Sequence, residues 1–138
     1  PVSRFMDDKV LTGSPDLVVT DRVENYINKH YQRTFPVVDN GTLVGIVSLS
    51  SLLVLDRHKW NWLHVASVME PLTPSIVVAP GGSAADALET MQRQGHESLM
   101  VAENGKFIGI IAFRGLASYL AITIKIDHNK PVEKSRTA

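Results

Sequence analysis

The chain has 138 residues, 44% of them apolar and 20% charged, the make-up of a folded domain with its own core rather than a disordered tail. Fourteen Lys and Arg balance fourteen Asp and Glu, which argues against a broad basic face for nucleic acid, and no apolar run approaches the ~20 residues of a membrane-spanning helix. There is no cysteine, so the chain has neither a disulfide framework nor a thiolate site, as fits a reducing compartment.

The chain opens at Pro1 without an initiator Met or a signal-like stretch, which points to a piece of a longer protein. A short β-like run, "KVLT" (9–12), leads into the Pro-led turn "SPDL" (14–17). Val19, Val23, Tyr26, Ile27 and Tyr31 then form one helical stripe. "FPVV" (35–38) reads as a strand, and Asn40-Gly41 as a hairpin turn, because both residues tolerate positive φ. "TLVGIVS" (42–48) is the returning strand, and an apolar helix follows at about 50–55. The link "LDRHKWNWLHVASVME" (55–70) carries Trp60 and Trp62, two large rings that must bury somewhere. They either pack on this chain's own surface or anchor it to a second module or a membrane-embedded partner.

The same order then recurs. "SIVV" (75–78) is β-like, and "APGGS" (79–83) is a Pro-led turn. Ala84, Ala87, Leu88 and Met91 fall at i, i+3, i+4 and i+7, with Ser83 as N-cap and Gly95 as C′ residue. "LMVA" (99–102), Asn104-Gly105 and "KFIGII" (106–111) form a second hairpin, with a helix at about 114–122. In the last stretch (123–138), "TIKID" reads as a final strand or an arm and the rest as a disordered end.

Phe35–Leu52 and Leu99–Leu116 are therefore two copies of one passage, sixty-four residues apart and identical at six of eighteen positions. The unit is β-α-β-β-α, used twice. One unit leaves a sheet face apolar and buries too little surface alone, so two units cover each other and leave clefts between them. The expected fold is of the α/β (α+β) class, with two repeats packed sheet to sheet about a pseudo-twofold axis. Val37, Val38, Ile46, Val101, Ile108 and Ile110 are the expected core. Gly45 and Gly109 sit at matched positions inside the second strands, where each marks either simple packing or the close approach of another backbone or a ligand.

The tandem unit, its openings (Phe5-Met6 and Val68-Met69) and the pattern "PVVD-NG-LVGIV" resemble a pair of cystathionine-β-synthase (CBS) domains, a Bateman module, over about residues 3–122. The implied division is repeat one at 1–55, a linker at 56–66, repeat two at 67–122 and a tail at 123–138. The opening "VSRFM", the link at 55–70 and the passage "NKHYQRTFPVV" (28–38) further resemble the cytosolic tail of site-2-protease-like membrane zinc metalloproteases. That resemblance implies a module on the cytoplasmic face of an integral membrane host, with zinc confined to a catalytic domain outside this chain. A transporter or a metabolic enzyme is the alternative host.

The family resemblance also implies a ligand: AMP, ADP, ATP or S-adenosylmethionine, held between the repeats. The family pattern is G-h-h-T/S-x-x-D, whose hydroxyl faces phosphate and whose Asp binds the ribose. Gly45 is followed by Ser48, with Ser51 in place of the Asp; Gly109 is followed by Ala112 and Gly115. Both ribose carboxylates are missing. The implied site is Thr12, Phe35, Pro36, Ser48 and Ser51 beside repeat one, with Arg114 meeting a phosphate. Thr12 also reads as an ordinary strand residue and Arg114 as a solvated arginine at a helix start. The expected partners are a second copy, through Val54, Leu55, Leu120 and Ile122, and the attached protease, with no nucleic acid. The competing reading is a purely structural dimerisation module with an empty cleft.

No catalytic constellation is legible. His96-Glu97 opens like HExxH, but Met100 stands at the fifth position, and the remaining histidines, at 30, 58, 64 and 128, show no ligand spacing. Ser48, Ser50 and Ser51 lack a nucleophile elbow. The expectation is a module that is not itself an enzyme.

Overall fold

The computed structural model describes residues 1–19 and 32–118. Both Asn-Gly pairs form tight turns. Asn40 and Gly41 have φ of 50° and 85°, and Asn104 and Gly105 have 53° and 84°, the paired positive values that suit the twist of adjoining strands. Strand β1 (Thr34–Asp39) thus folds back on β2 (Thr42–Ser48), and β4 (Ser98–Glu103) on β5 (Lys106–Ala112). The hairpins match down to their irregularities, with a register shift between Val37 and Val38 in one and between Val101 and Ala102 in the other.

The helix before the second hairpin, α3 (Ala84–Gln94), has the expected ends. The Ser83 hydroxyl accepts the Asp86 N–H at 3.2 Å, and Gly95 closes the helix at φ 72°. Its apolar stripe buries Ala87 and Met91 against β4 and β5. The corresponding stripe of repeat one, from Val23 to Tyr31, lies outside the described residues, although Val19 at its start is fully buried. After the hairpins come α1 (Leu49–Leu53) and a helical stretch at 113–118; Leu120, Ile122 and the tail 123–138 lie outside the described residues.

The expected first strands are shorter than the sequence suggests. In repeat two only β3 (Val77–Val78) pairs with β4, in parallel, because Pro74–Ile76 turns as a 3-10 helix. In repeat one "KVLT" forms no strand. The Gln32 side chain occupies the backbone of Leu11 instead, accepting its N–H at 2.9 Å and donating to its carbonyl at 2.7 Å. Pairing to β1 is left to Gly13, whose N–H donates to the Pro36 carbonyl and whose carbonyl accepts the Val38 N–H.

The two halves are also joined along the sheet. Thr42 pairs with Lys106, the Leu43 N–H donates to the Gly105 carbonyl and the Phe107 N–H to that of Gly41, which gives a five-stranded order β1-β2-β5-β4-β3. A further link is an exchange of segments. Residues 2–7 open repeat one but dock on repeat two: the Val2 and Ser3 N–H groups donate to Gly82 and Pro80, and Asp7 pairs with Ile110 on β5. Residues 65–70, which include α2 (Val65–Val68), do the reverse, with Val65 and Ala66 donating to Leu17 and Pro15, and Glu70 pairing with Ile46 on β2.

The matched glycines explain themselves here. A Cβ on Gly45 would lie 2.8 Å from the Met69 sulfur and 3.0 Å from the Glu70 carbonyl oxygen; one on Gly109 would lie 2.7 Å from the Asp7 carbonyl oxygen. Of their two possible meanings, the structure selects the close approach of another backbone.

Two apolar clusters result. One holds Val2, Leu43, Ile46, Met91, Leu99, Val101, Ile110 and Leu116; the other holds Val19, Phe35, Val37, Val47, Leu52, Trp60 and Val65. Of the expected core residues, Val37, Ile46, Val101 and Ile110 are buried, and Val38 and Ile108 are half-buried. The two tryptophans differ in burial. Trp60, with the Arg57 guanidinium 5.1 Å from its ring centroid, is buried in the second cluster, whereas Trp62 is 77% exposed.

Candidate ligand cleft between the repeats

Four short runs, two from each repeat, meet at one end of the five-stranded sheet. The first is the exchanged segment, where the Lys9 N–H donates to Asp7 Oδ1 at 2.9 Å and turns the chain after its pairing with β5. The second is the lead into β1, fixed by Gln32, which also donates to the Thr34 carbonyl at 3.1 Å. The third is the lead from α3 into β4, where His96 Nε2 lies 3.4 Å from the Ser75 hydroxyl. The fourth is the end of β5, where the Phe113 N–H donates to the Glu97 carbonyl at 2.7 Å and starts the helical stretch. Gln32 and His96 are twins: each sits sixty-four residues from the other, and each ties down the equivalent segment, at Leu11 and at Ser75.

These runs enclose a cleft of about 870 Å³, in the range of small-molecule sites. Its lining combines apolar residues, among them Val10, Met91 and Ile110, with the charged Lys9, Arg33, Arg114, Asp7 and Glu97. Three cations drawn from three separate segments suit a ligand with negative charge at one end and an apolar body. Lys9, Arg33 and Arg114 are solvent-exposed, so their long side chains can turn towards an anion.

Of the residues implied by sequence, Arg114 lines this cleft, beside Ala112 and Gly115. The others lie by repeat one. Phe35 is buried in the second apolar cluster, Pro36 is buried on β1, and Thr12 is half-buried next to the Gly13 bridge. Ser48 and Ser51 are brought together, with hydroxyl oxygens 2.8 Å apart and the Ser51 N–H donating to Ser48 Oγ at 3.4 Å, so Ser48 acts as the N-cap of α1. Lys9, Arg33 and Asp7 were not singled out from the sequence, and Glu97 only as part of the incomplete HExxH. The one available signal was the pair of matched glycines: each announces a close neighbour, and at Gly109 that neighbour is the segment carrying Asp7 and Lys9. Among the described residues no group of His, Asp and Glu has the geometry of a metal site, and no helix is long and apolar enough to cross a membrane.

The CBS domain family model matches residues 2–57 and 65–122. The uncharacterized protein MJ0188 of Methanocaldococcus jannaschii is 33% identical over 112 residues, covering 80% of this chain and 40% of that protein. The chain spans less than half the length of the curated relatives MJ0188 and MJ1225 of that organism. Among solved structures, CBSX2 in complex with AMP superposes with a TM-score of 0.75 at 30% identity, over 90% of this chain and 97% of CBSX2. The CBS domain of a bacterial CNNM/CorC family Mg2+ transporter, in complex with ATP, has the same fold, with a TM-score of 0.75 at 19% identity over 88% of this chain and 87% of that one.

Proposed function

The chain belongs to the CBS-domain family as a tandem pair, and from that premise we propose that it is a non-catalytic regulatory module that takes an adenosine nucleotide in the cleft between its repeats. The observation that carries the reading is that Lys9, Arg33 and Arg114 line one cleft together with apolar residues. Charge-assisted hydrogen bonds to phosphate are worth about 1.5–3 kcal/mol each, and an adenine ring suits the apolar lining. The AMP held by CBSX2, a relative in fold and sequence, supports the same class of ligand. With no carboxylate at Ser51 or Gly115, ADP and ATP should bind more tightly than AMP, because phosphate supplies the grip. S-adenosylmethionine, which carries a sulfonium cation, should bind less well.

Calorimetric titration with the four ligands is the test. Arg114→Ala should weaken AMP and ATP binding about tenfold, the worth of one such bond. A second arrangement, beside repeat one, uses Thr12, Phe35, Pro36, Ser48 and Ser51. It requires the Ser48–Ser51 hydroxyl contact to open towards the ligand. In that arrangement Ser48→Ala weakens binding, Ser51→Asp tightens it about tenfold, and Arg114→Ala does nothing. Failure of all four ligands to bind at millimolar concentration leaves the dimerisation module. Leu53 and Val54, 62% and 83% exposed at the end of α1, are then the surface to examine. Self-association through that surface is proposed in either case, and Val54→Asp should shift a sedimenting dimer to a ~15 kDa species.

The proposed host is a membrane metalloprotease of the site-2-protease type, with this pair on the cytoplasmic face. The reading keeps the division into 1–55, 56–66 and 67–122, and its support is the resemblance of the opening and of the link at 55–70. Reading the gene on either side of this segment tests it: HExxH within membrane-spanning helices is the expected result, and transporter helices or a soluble enzyme domain would refute it.

A further inference from the structure

We propose that the N-terminal segment, residues 2–10, is a ligand-responsive wall of the cleft, so that occupancy of the cleft and docking of this segment on repeat two are coupled. The inference rests on the reading above, that a phosphate-bearing nucleotide occupies the cleft. It names the element through which that occupancy leaves the site.

The geometry has three parts. First, the segment is a wall: Phe5, Asp7, Lys9 and Val10 line the cleft together with Ala112 and Arg114 from the end of β5. Second, the segment is anchored at its start and lightly held beyond it. Val2 is fully buried, the Val2 and Ser3 N–H groups reach Gly82 and Pro80, and Asp7 exchanges two backbone hydrogen bonds with Ile110, at 2.7 and 2.9 Å. That is an isolated bridge and not a ladder, the kind of attachment that opens without unfolding the rest. Third, the docked segment pairs with the strand that leads to Arg114. Asp7 bonds Ile110, which also lines the cleft, and β5 runs on from there to Ala112 and then Arg114. A phosphate chain bridging Lys9 and Arg114 therefore requires the segment to be docked.

Coupling follows from linkage. If the ligand binds the docked form better, it shifts the segment towards docking, and anything that undocks the segment weakens the ligand by the same factor. The molecule contains its own control. The segment 65–70 docks on repeat one through the twin contacts, Glu70 with Ile46 and Met69 against Gly45, but it does not line the cleft.

Amide hydrogen exchange on the unmodified protein, with ATP and AMP and with calorimetry on the same samples, is the experiment. At one hundred times Kd, exchange at Asp7 should slow by up to about a hundredfold, while Glu70 in the twin segment slows far less. Binding seen by calorimetry with equal slowing at Asp7 and Glu70 would overturn the coupling and leave the nucleotide site standing. Absence of binding removes the nucleotide reading, and the coupling with it. A second arm uses substitutions outside the cleft. Gly109→Ala sets a Cβ against the Asp7 carbonyl and should weaken ATP about tenfold or more, whereas Gly45→Ala should change it less than about twofold. Equal effects from the two would also overturn the proposal. Should Gly109→Ala not fold, exchange on the unmodified protein decides alone.

Discussion

At Gly109 one missing methyl group decides how two segments can approach. A Cβ there would sit 2.7 Å from the Asp7 carbonyl oxygen, a backbone atom whose own hydrogen bond to Ile110 fixes it in place. At Gly45 the nearest atom is the Met69 sulfur, the flexible part of a side chain, with backbone only at 3.0 Å. The twins should therefore differ in their tolerance. Gly109→Ala should cost about 1–3 kcal/mol, the usual toll of overpacking, and Gly45→Ala should cost less, as read by urea denaturation monitored by circular dichroism. Gly41 is a different case. Nothing lies within 4 Å of its missing Cβ, but its φ of 85° strains any other residue, so Gly41→Ala should cost about 1–2 kcal/mol without any clash. Trp60 and Trp62 separate in the same way. Trp60→Ala empties a place in the second apolar cluster and should cost about 3–5 kcal/mol, whereas Trp62→Ala should stay within about 0.5 kcal/mol. The Trp60 indole N–H is buried with no hydrogen-bond partner among the described residues, so Trp60→Phe gives back part of that loss.

Elements that depend on near neighbours were legible in the sequence. Asn40-Gly41 and Asn104-Gly105 need only their own backbone freedom, and α3 needs only Ser83, Gly95 and an apolar stripe, so each appeared where the pattern put it. Elements that depend on distant partners were not. "KVLT" has the composition of a strand, but Gln32, twenty-one residues on, takes the Leu11 backbone, and no local pattern announces that a side chain will replace a ladder. The exchange of segments was invisible for a similar reason: Asp7 and Ile110 are far apart in sequence, and the only trace was Gly109 itself. The candidate cleft inherits this limit, because Lys9 and Arg33 reach it only through those long-range contacts, whereas Arg114 was singled out through the resemblance to the family pattern that follows Gly109. Gln32 offers a direct check at this scale. Gln32→Ala leaves the half-buried Leu11 N–H and carbonyl without that side chain, and should lower stability by about 1–3 kcal/mol. Gln32→Glu keeps the acceptor for the N–H but loses the donor, and should fall between the two.

For the molecule as a whole, the exchange makes each repeat a structural part of the other. Val2 belongs by sequence to repeat one, yet it completes the apolar cluster of repeat two; Val65 precedes repeat two, yet it completes the cluster of repeat one. Leu43 and Ile46 of β2 also sit in the cluster of repeat two, and the rung at Thr42–Lys106 ties the hairpins edge to edge. Two independent units joined by a linker would unfold separately, whereas units that share core residues should unfold together. Trp60 makes this measurable. It is the buried member of the only two tryptophans in the chain, and it lies in the cluster that residues 1–7 do not enter. Deleting residues 1–7 removes the burial of Val2, worth about 1.5–3 kcal/mol, along with several backbone hydrogen bonds of about 1 kcal/mol each. In urea, the fluorescence of Trp60 should therefore shift to a lower midpoint in the truncated chain, in step with circular dichroism, although the deleted segment docks on repeat two and Trp60 lies in repeat one's cluster. A fluorescence midpoint that stays in place while circular dichroism develops an early phase would mean that the repeats fold as separate units. The exchanged segments would then be straps laid across the molecule and not part of its core.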